Sequence, residues 1–179
     1  MGDDLNKSKL RSAFLKRRTL LDKRMYTLFN TMLVARLKTY LETRHVERVG
    51  IFYPMLNEVD LRSLSELYTV YLPKIVQGGI VFYEDRGDYQ KAPFNTTVPA
   101  HDEAVDKALL DVVIVPGIVF DKLGYRIGYG KGYYDMFLKD FQGEKIGVCF
   151  DLFVIDKIPV EDHDIAVDMV ITDQQAWKG

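Results

Sequence analysis

Residues 112–115 read VVIV, β-branched side chains in an unbroken row. An alternating strand leaves one face to water, whereas an unbroken apolar row needs cover on both faces. That is the condition of a parallel strand inside an α/β sheet. Candidates for the cover are visible along the chain. From Lys7 to Leu41 apolar residues recur at helical spacing (Leu10, Phe14, Leu21, Met25, Leu28, Met32, Ala35) without Pro or Gly, which predicts one long or two shorter amphipathic helices. RVGIFYP (48–54) predicts a short buried strand stopped by Pro54, LRSLSELYTVY (61–71) a helix, and KIVQGGIVFYE (74–84) two short strands broken at Gly78 and Gly79. Residues 86–102 carry the turn residues of a loop, GYYDMFLKDF (132–141) predicts a helix, and KIGVCF (145–150) and MVIT (169–172) predict strands. The alternation predicts an α/β fold with a largely parallel central sheet flanked by helices, behind a long N-terminal helical segment. A chain of 179 residues suits one domain over 1–179, helical over 1–45 and α/β over 46–179.

Apolar residues make up 47% of the chain and charged residues 28%, a globular balance that argues against disorder. The net charge of −2, from 24 basic and 26 acidic residues, provides no global field toward nucleic acid or anionic membrane, so any charge-based function has to be local. Cys149, the only cysteine, has no internal disulfide partner and sits in an apolar strand segment, which fits a reducing cytoplasm. Charge stands where a signal peptide needs an apolar run, and no stretch approaches the ~20 apolar residues of a membrane span. A soluble, cytoplasmic protein is expected.

The buried run leads through a glycine-rich stretch, RIGYGKGYYD (126–135), toward the predicted helix. In α/β sheets ligands collect beyond the carboxyl ends of parallel strands, where this stretch has to lie. Tyr134, Phe137, Leu138 and Phe141 mark the apolar helix face, leaving Gly130, Lys131 and Gly132 at the first turn. There, unpaired N–H groups and glycine backbone admit a phosphate closely, and Lys131 and Arg126 add full charges. A tight surface turn whose glycines only supply positive φ is the other reading, since GYGKG alone is not a Walker pattern. Asp135 can reach a phosphate-bound Mg²⁺, or be a first-turn carboxylate favoured by the helix dipole.

Between Lys7 and Arg24 eight basic residues stand against one acid, Asp22, but aromatic residues to stack on bases are lacking, so nucleic acid is not expected. His45, His101 and His163 lack ligand spacing for zinc, and there is no nucleophile elbow for Ser/His/Asp hydrolysis. His163 reads as structural and its neighbour Asp164 as the useful residue.

FDKLGYRIGYGKGYYD, preceded by VIVPG, resembles the signature of the 5-formyltetrahydrofolate cyclo-ligases, and KSKLR, IFYPMLNEVD and VEDHDIAVDMVIT follow the family's order. The resemblance implies a Rossmann-like fold of the sugar-phosphate isomerase/CoA-transferase type. It implies a monomeric enzyme in which ATP phosphorylates the formyl oxygen of 5-formyltetrahydrofolate and N10 closes on the activated carbon, giving 5,10-methenyltetrahydrofolate. Lys7 and Arg11 would reach the ATP phosphates, and their i, i+4 spacing puts both on one helical face. Lys74 would be a further phosphate contact. The loop of Arg126, Ile127, Gly128, Tyr129, Gly130, Lys131, Gly132, Tyr133 and Tyr134 would hold ATP, with Arg126, Lys131 and Tyr133 as the catalytic residues. Asp135 and Asp164 would serve Mg²⁺, and Tyr53, Glu58 and Tyr133 would line the folate pocket. Tyr129 stands where some members carry a basic residue, and residues 86–102 lack the family's Glu-Pro element. Two rivals remain: a sugar-phosphate isomerase or acyl-transfer enzyme whose glycine loop holds a substrate phosphate, and a non-catalytic nucleotide-binding module. ATP-dependent turnover separates them.

Overall fold

The computed structural model describes residues 6–93 and 96–179. Two helices open the chain, α1 (Lys7–Thr19) and α2 (Lys23–Glu42), each started by a side-chain cap. Asn6 accepts from Lys9 N (2.9 Å) and Asp22 from Met25 N (3.0 Å). The Asp22 cap interrupts the helical run where periodicity alone shows no break. On α1 the buried face consists of Leu10, Phe14 and Arg18, at successive i+4 steps.

Strands follow in short pieces: β1 (Arg48–Gly50), β2 (Thr69–Val76), β3 (Gly79–Glu84), β4 (Tyr89–Ala92), β5 (Thr96–Pro99), β6 (Ala104–Val105), β7 (Val112–Val115), β8 (Val119–Asp121) and β9 (Arg126–Ile127). After α3 (Tyr133–Leu138) come β10 (Glu144–Val148), β11 (Val154–Ile155), β12 (Met169–Ile171) and β13 (Ala176–Lys178). The main sheet has the order β13-β12-β10-β7-β1-β2-β3-β6. Its centre, β12 to β2, is parallel, and β7 lies inside it with all four side chains buried, as VVIV requires.

The sheet is mixed, which corrects the largely parallel expectation. Val76 pairs with Gly79 across a two-residue turn in which Gln77 (φ 49) and Gly78 (φ 80) both take positive φ, so β3 returns antiparallel to β2. β6 and β13 are also antiparallel edges. Helical cover is sparser than expected: α2 contacts β12 and α3 contacts β3, and other connections are short 3-10 turns, hairpins or, over 156–168, irregular chain. The helix expected over 61–71 is a 3-10 turn, Arg62–Glu66, and Thr69 onward joins the sheet between β1 and β3. The loop expected over 86–102 contains the β4–β5 hairpin, with residues 94 and 95 outside the described residues. One hydrophobic cluster runs from Leu10 of α1 to Ile171 of β12, so helical segment and sheet share a core.

Candidate active site at the glycine loop

The chain does not run straight from β7 into the glycine loop. It first makes the β8–β9 hairpin, to which β11 adds a parallel strand. The fully buried Asp121 carboxylate accepts from Leu123 N (3.0 Å), Tyr125 N (2.9 Å) and Ile158 N (2.9 Å), which fixes the turn. Phe120 sits between Gly117 and Gly147, where an added β-carbon would come within 2.4 and 2.3 Å of its ring. The hairpin is thereby clamped to β10, and its second strand delivers Arg126 and the buried Ile127 at the mouth of the loop.

Gly128–Gly132 then passes under α1. Arg11 Nε donates to Gly128 O (2.8 Å), and its guanidinium lies 3.4 Å from where a β-carbon on Gly130 would stand. Gly130 (φ +90) and Gly132 (φ +69) take conformations that favour glycine, and Gly132 opens α3. α3 ends at Leu138, shorter than the 132–141 expected. Lys131 is exposed on the loop.

Two carboxylates meet through Ile165. Arg126, 8% exposed, donates to Ile165 O (2.8 Å) and to Asp135 Oδ1 (2.9 Å), and Ile165 N donates to the same Asp135 oxygen (3.1 Å). Burial pulls the Arg126 guanidinium below its ordinary range, opposed chiefly by the charge of Asp135. Asp164, next to Ile165, accepts from Lys7 Nζ and from Glu161 N (2.7 Å), and Lys7 also pairs with Glu161 Oε2 (2.6 Å). Burial would push the Asp164 carboxyl up, but Lys7 and the Glu161 N–H outweigh it and hold it below the usual range.

On the other side of the loop lies Glu58, 5% exposed. Its Oε2 accepts from Met55 N (2.9 Å), and its Oε1 from the Tyr129 hydroxyl (2.9 Å) with Arg18 Nη1 at 3.5 Å. Glu58 and Arg18 line a small space with Phe52, Pro116, Gly117 and Phe150, about 10 Å³ in size, room for about one water.

Residues 3–173 match the sequence profile of the 5-formyltetrahydrofolate cyclo-ligase family. The chain belongs to that family. An Escherichia coli protein named 5-formyltetrahydrofolate cyclo-ligase is 29% identical over 158 residues, covering 80% of this chain and 87% of its own. The NMR structure of Aquifex aeolicus 5,10-methenyltetrahydrofolate synthetase superposes with a TM-score of 0.86 at 30% identity, over 96% of this chain and 92% of the other. The Mycoplasma pneumoniae synthetase structure shares the fold with a TM-score of 0.80 at 23% identity, over 95% of this chain and all of the other.

Of the residues singled out by resemblance to the cyclo-ligases, Lys7, Arg11, Arg126, Asp135, Asp164 and the loop gather at one place. Three others stand apart or differently. Tyr53 packs its ring against Tyr89 (6.1 Å between centroids) and under Arg62, and Phe52, not Tyr53, lines the space beside Glu58. Lys74 is held by His101 O and Asp102, with Tyr83 beneath its ammonium at 4.2 Å. Tyr133 is half-buried, and its neighbour Tyr134 turns a hydroxyl inward, buried without a hydrogen-bond partner among the described residues. Burial, and Glu58 against the opposing charge of Arg126, push the Tyr134 phenol up.

Of the two carboxylates expected at Mg²⁺, Asp164 lies within 4.8 Å of ligand atoms of Glu161 and His163, and its carboxylate and that of Glu161 are the oxygen donors a hard cation takes, whereas Asp135 falls outside that group, bonded to Arg126 and Ile165 N. Sequence reasoning missed Arg18 and the Tyr129–Glu58 contact. The signal for Arg18 was available, because a basic residue four positions after Phe14 falls on the apolar stripe of α1.

Proposed function

We propose that this cyclo-ligase family member converts 5-formyltetrahydrofolate to 5,10-methenyltetrahydrofolate at the expense of ATP, releasing ADP and phosphate. The observation that carries the reading is the laying of α1 against the glycine loop. Arg11 bonds the Gly128 carbonyl, Lys7 sits at Asp164 on the same helix face, Arg126 lies at the loop's entry and Lys131 on its crest. Cations converging on glycine backbone suit a triphosphate.

Lys7, Arg11 and Lys131 hold the phosphates together with the chain from Ile127 through Gly128, Tyr129, Gly130 and Gly132, flanked by Tyr133 and Tyr134. Lys74 is a further phosphate contact once it leaves His101. Asp135 and Asp164 serve Mg²⁺, which when bound neutralises phosphate charge. Lys7 and Asp164 are partners in this structure, so nucleotide binding exchanges their ion pair: the ammonium turns to phosphate and the carboxylate is freed. Glu58 accepts hydrogen bonds from pterin N–H groups, and Tyr53 and Tyr133 offer flat faces to the folate rings.

The γ-phosphoryl group passes to the formyl oxygen and ADP leaves. The N10 lone pair attacks the activated carbon, the carbon–oxygen bond breaks with the oxygen departing in phosphate, and N10 releases its proton to water. Arg126 and Lys131 offset charge on the phosphoryl oxygens, and Tyr133 helps to hold the formyl group in line, so catalysis is electrostatic and positional. The parallel centre of the main sheet, β12-β10-β7-β1-β2, supports a Rossmann-like assignment of the sugar-phosphate isomerase/CoA-transferase type. The unit is 1–179, a cytoplasmic monomer acting on small molecules without nucleic-acid or membrane partners. No helix among the described residues is long and apolar enough to cross a membrane.

Purified protein given 5-formyltetrahydrofolate and Mg-ATP is expected to form the near-ultraviolet-absorbing amidinium product and ADP in equal amounts. Nucleotide binding without that product, from both monoglutamate and polyglutamate folates, would leave only a nucleotide-binding module.

A further inference from the structure

Arg18 is a charge, 2% exposed, on a helix face otherwise made of Leu10 and Phe14. A cation is kept in such a place only by partners around it. Its Nη2 donates to Gly117 O (2.7 Å) and Ile118 O (3.2 Å), tying α1 to the turn after β7. Its Nη1 faces Glu58 Oε1 at 3.5 Å and the Tyr129 hydroxyl at 3.4 Å, and the guanidinium lies over the Phe153 ring at 5.5 Å. Nε is buried without a partner among the described residues.

We propose that Arg18 is a positioning residue for the folate: its guanidinium, at the small space beside Pro116 and Phe150, holds Glu58 as a carboxylate that accepts the pterin amino and ring N–H groups. This rests on the reading of Glu58 as the folate acceptor. The other groups that feel Glu58 are the phenols of Tyr26 on α2, Tyr129 on the glycine loop and Tyr134 on α3, and Cys149 of the strand end after β10 lines the same space. All of these are neutral at neutral pH, so Arg18 supplies the full charge in direct contact with the carboxylate. Burial pushes the Glu58 carboxyl up from its ordinary range, opposed by the Met55 N–H, the Arg18 charge and Tyr129. A protonated Glu58 would present a donor to the pterin's donors.

The two holders of Oε1 differ in kind. Tyr129, 43% exposed, rides on the glycine loop, and its hydroxyl can yield Oε1 to a pterin N–H. Arg18 is anchored on backbone carbonyls and stays.

The test compares Arg18→Gln, Arg18→Lys and Glu58→Gln by steady-state kinetics across pH. Arg18→Gln is expected to raise KM for the folate about tenfold or more and to move the acid limb of its kcat/KM up by about one pH unit, while KM for ATP holds. Arg18→Lys keeps the charge and should restore most of both. An acid limb that stays put in Arg18→Gln, with losses shared equally by ATP and folate, would overturn the proposal and leave Arg18 a packing residue. If Glu58→Gln leaves the folate KM unchanged, the folate reading itself fails; if it raises KM and Arg18→Gln does not, only the role of Arg18 fails. Should neither Arg18 variant fold, the infrared difference between wild type and Glu58→Gln decides. An ionised carboxylate band at neutral pH supports the proposal, and a protonated carbonyl band overturns it.

Discussion

Asp164 is held below the usual carboxylate range by Lys7 and the Glu161 N–H, so its contribution to stability is fully present above the unfolded carboxyl's pKa of about 3.9 and is lost as pH falls through the lower folded value. Asp164→Asn is therefore expected to lose roughly 1–2 kcal/mol at neutral pH, as one charge-assisted bond of a partly buried pair disappears. The gap from wild type should close at the acid end of a urea-denaturation series; a gap constant down to strongly acidic pH would contradict the assignment. Residues within one contiguous motif, Arg126 through Asp135, were legible as a candidate site because the loop brings its own neighbours together. Lys7, Arg11 and Asp164 needed the family resemblance, since only tertiary folding sets Lys7 against Asp164 across the length of the chain. Arg18 went unread for the opposite reason. Surrounded by Lys16, Arg17 and Lys23, it looks like one more solvated charge until Leu10 and Phe14 are seen to share its face.

At the scale of elements, α1 carries the most: its cations meet the glycine loop through Arg11, and the turn after β7 and Glu58 through Arg18. Arg11→Met removes a charge-assisted contact worth roughly 1.5–3 kcal/mol to a phosphate, so calorimetry should show ATP binding weakened about tenfold or more. Arg11→Met also gives up the bond to Gly128 O, so the melting temperature should fall modestly while ATP affinity falls further, and equal loss of stability and affinity would argue that α1 is only a brace. Elements with a local signature were readable: VVIV became β7, KIGVCF contains most of β10, and MVIT contains β12. The strands β8, β9 and β11 were not, because they are too short for any period to show and depend on Asp121 and Phe120 for their place. Leu61, Leu64 and Tyr68 keep helical spacing, yet pairing with β1 and β3 takes the chain from Thr69 onward into the sheet.

Across the whole molecule, the proposed nucleotide and folate regions meet at Tyr129. In the middle of the glycine loop, its hydroxyl bonds the Glu58 carboxylate proposed for the pterin. Under the proposed function the γ-phosphoryl group and the formyl oxygen would meet across that loop, which is what direct transfer between them demands. The central claim is that transfer, and the fate of the formyl oxygen tests it most directly. With 5-formyltetrahydrofolate labelled by ¹⁸O in the formyl group, mass spectrometry of the released phosphate should find one labelled oxygen for each product formed. Unlabelled phosphate, with the ¹⁸O recovered in water, would contradict the account.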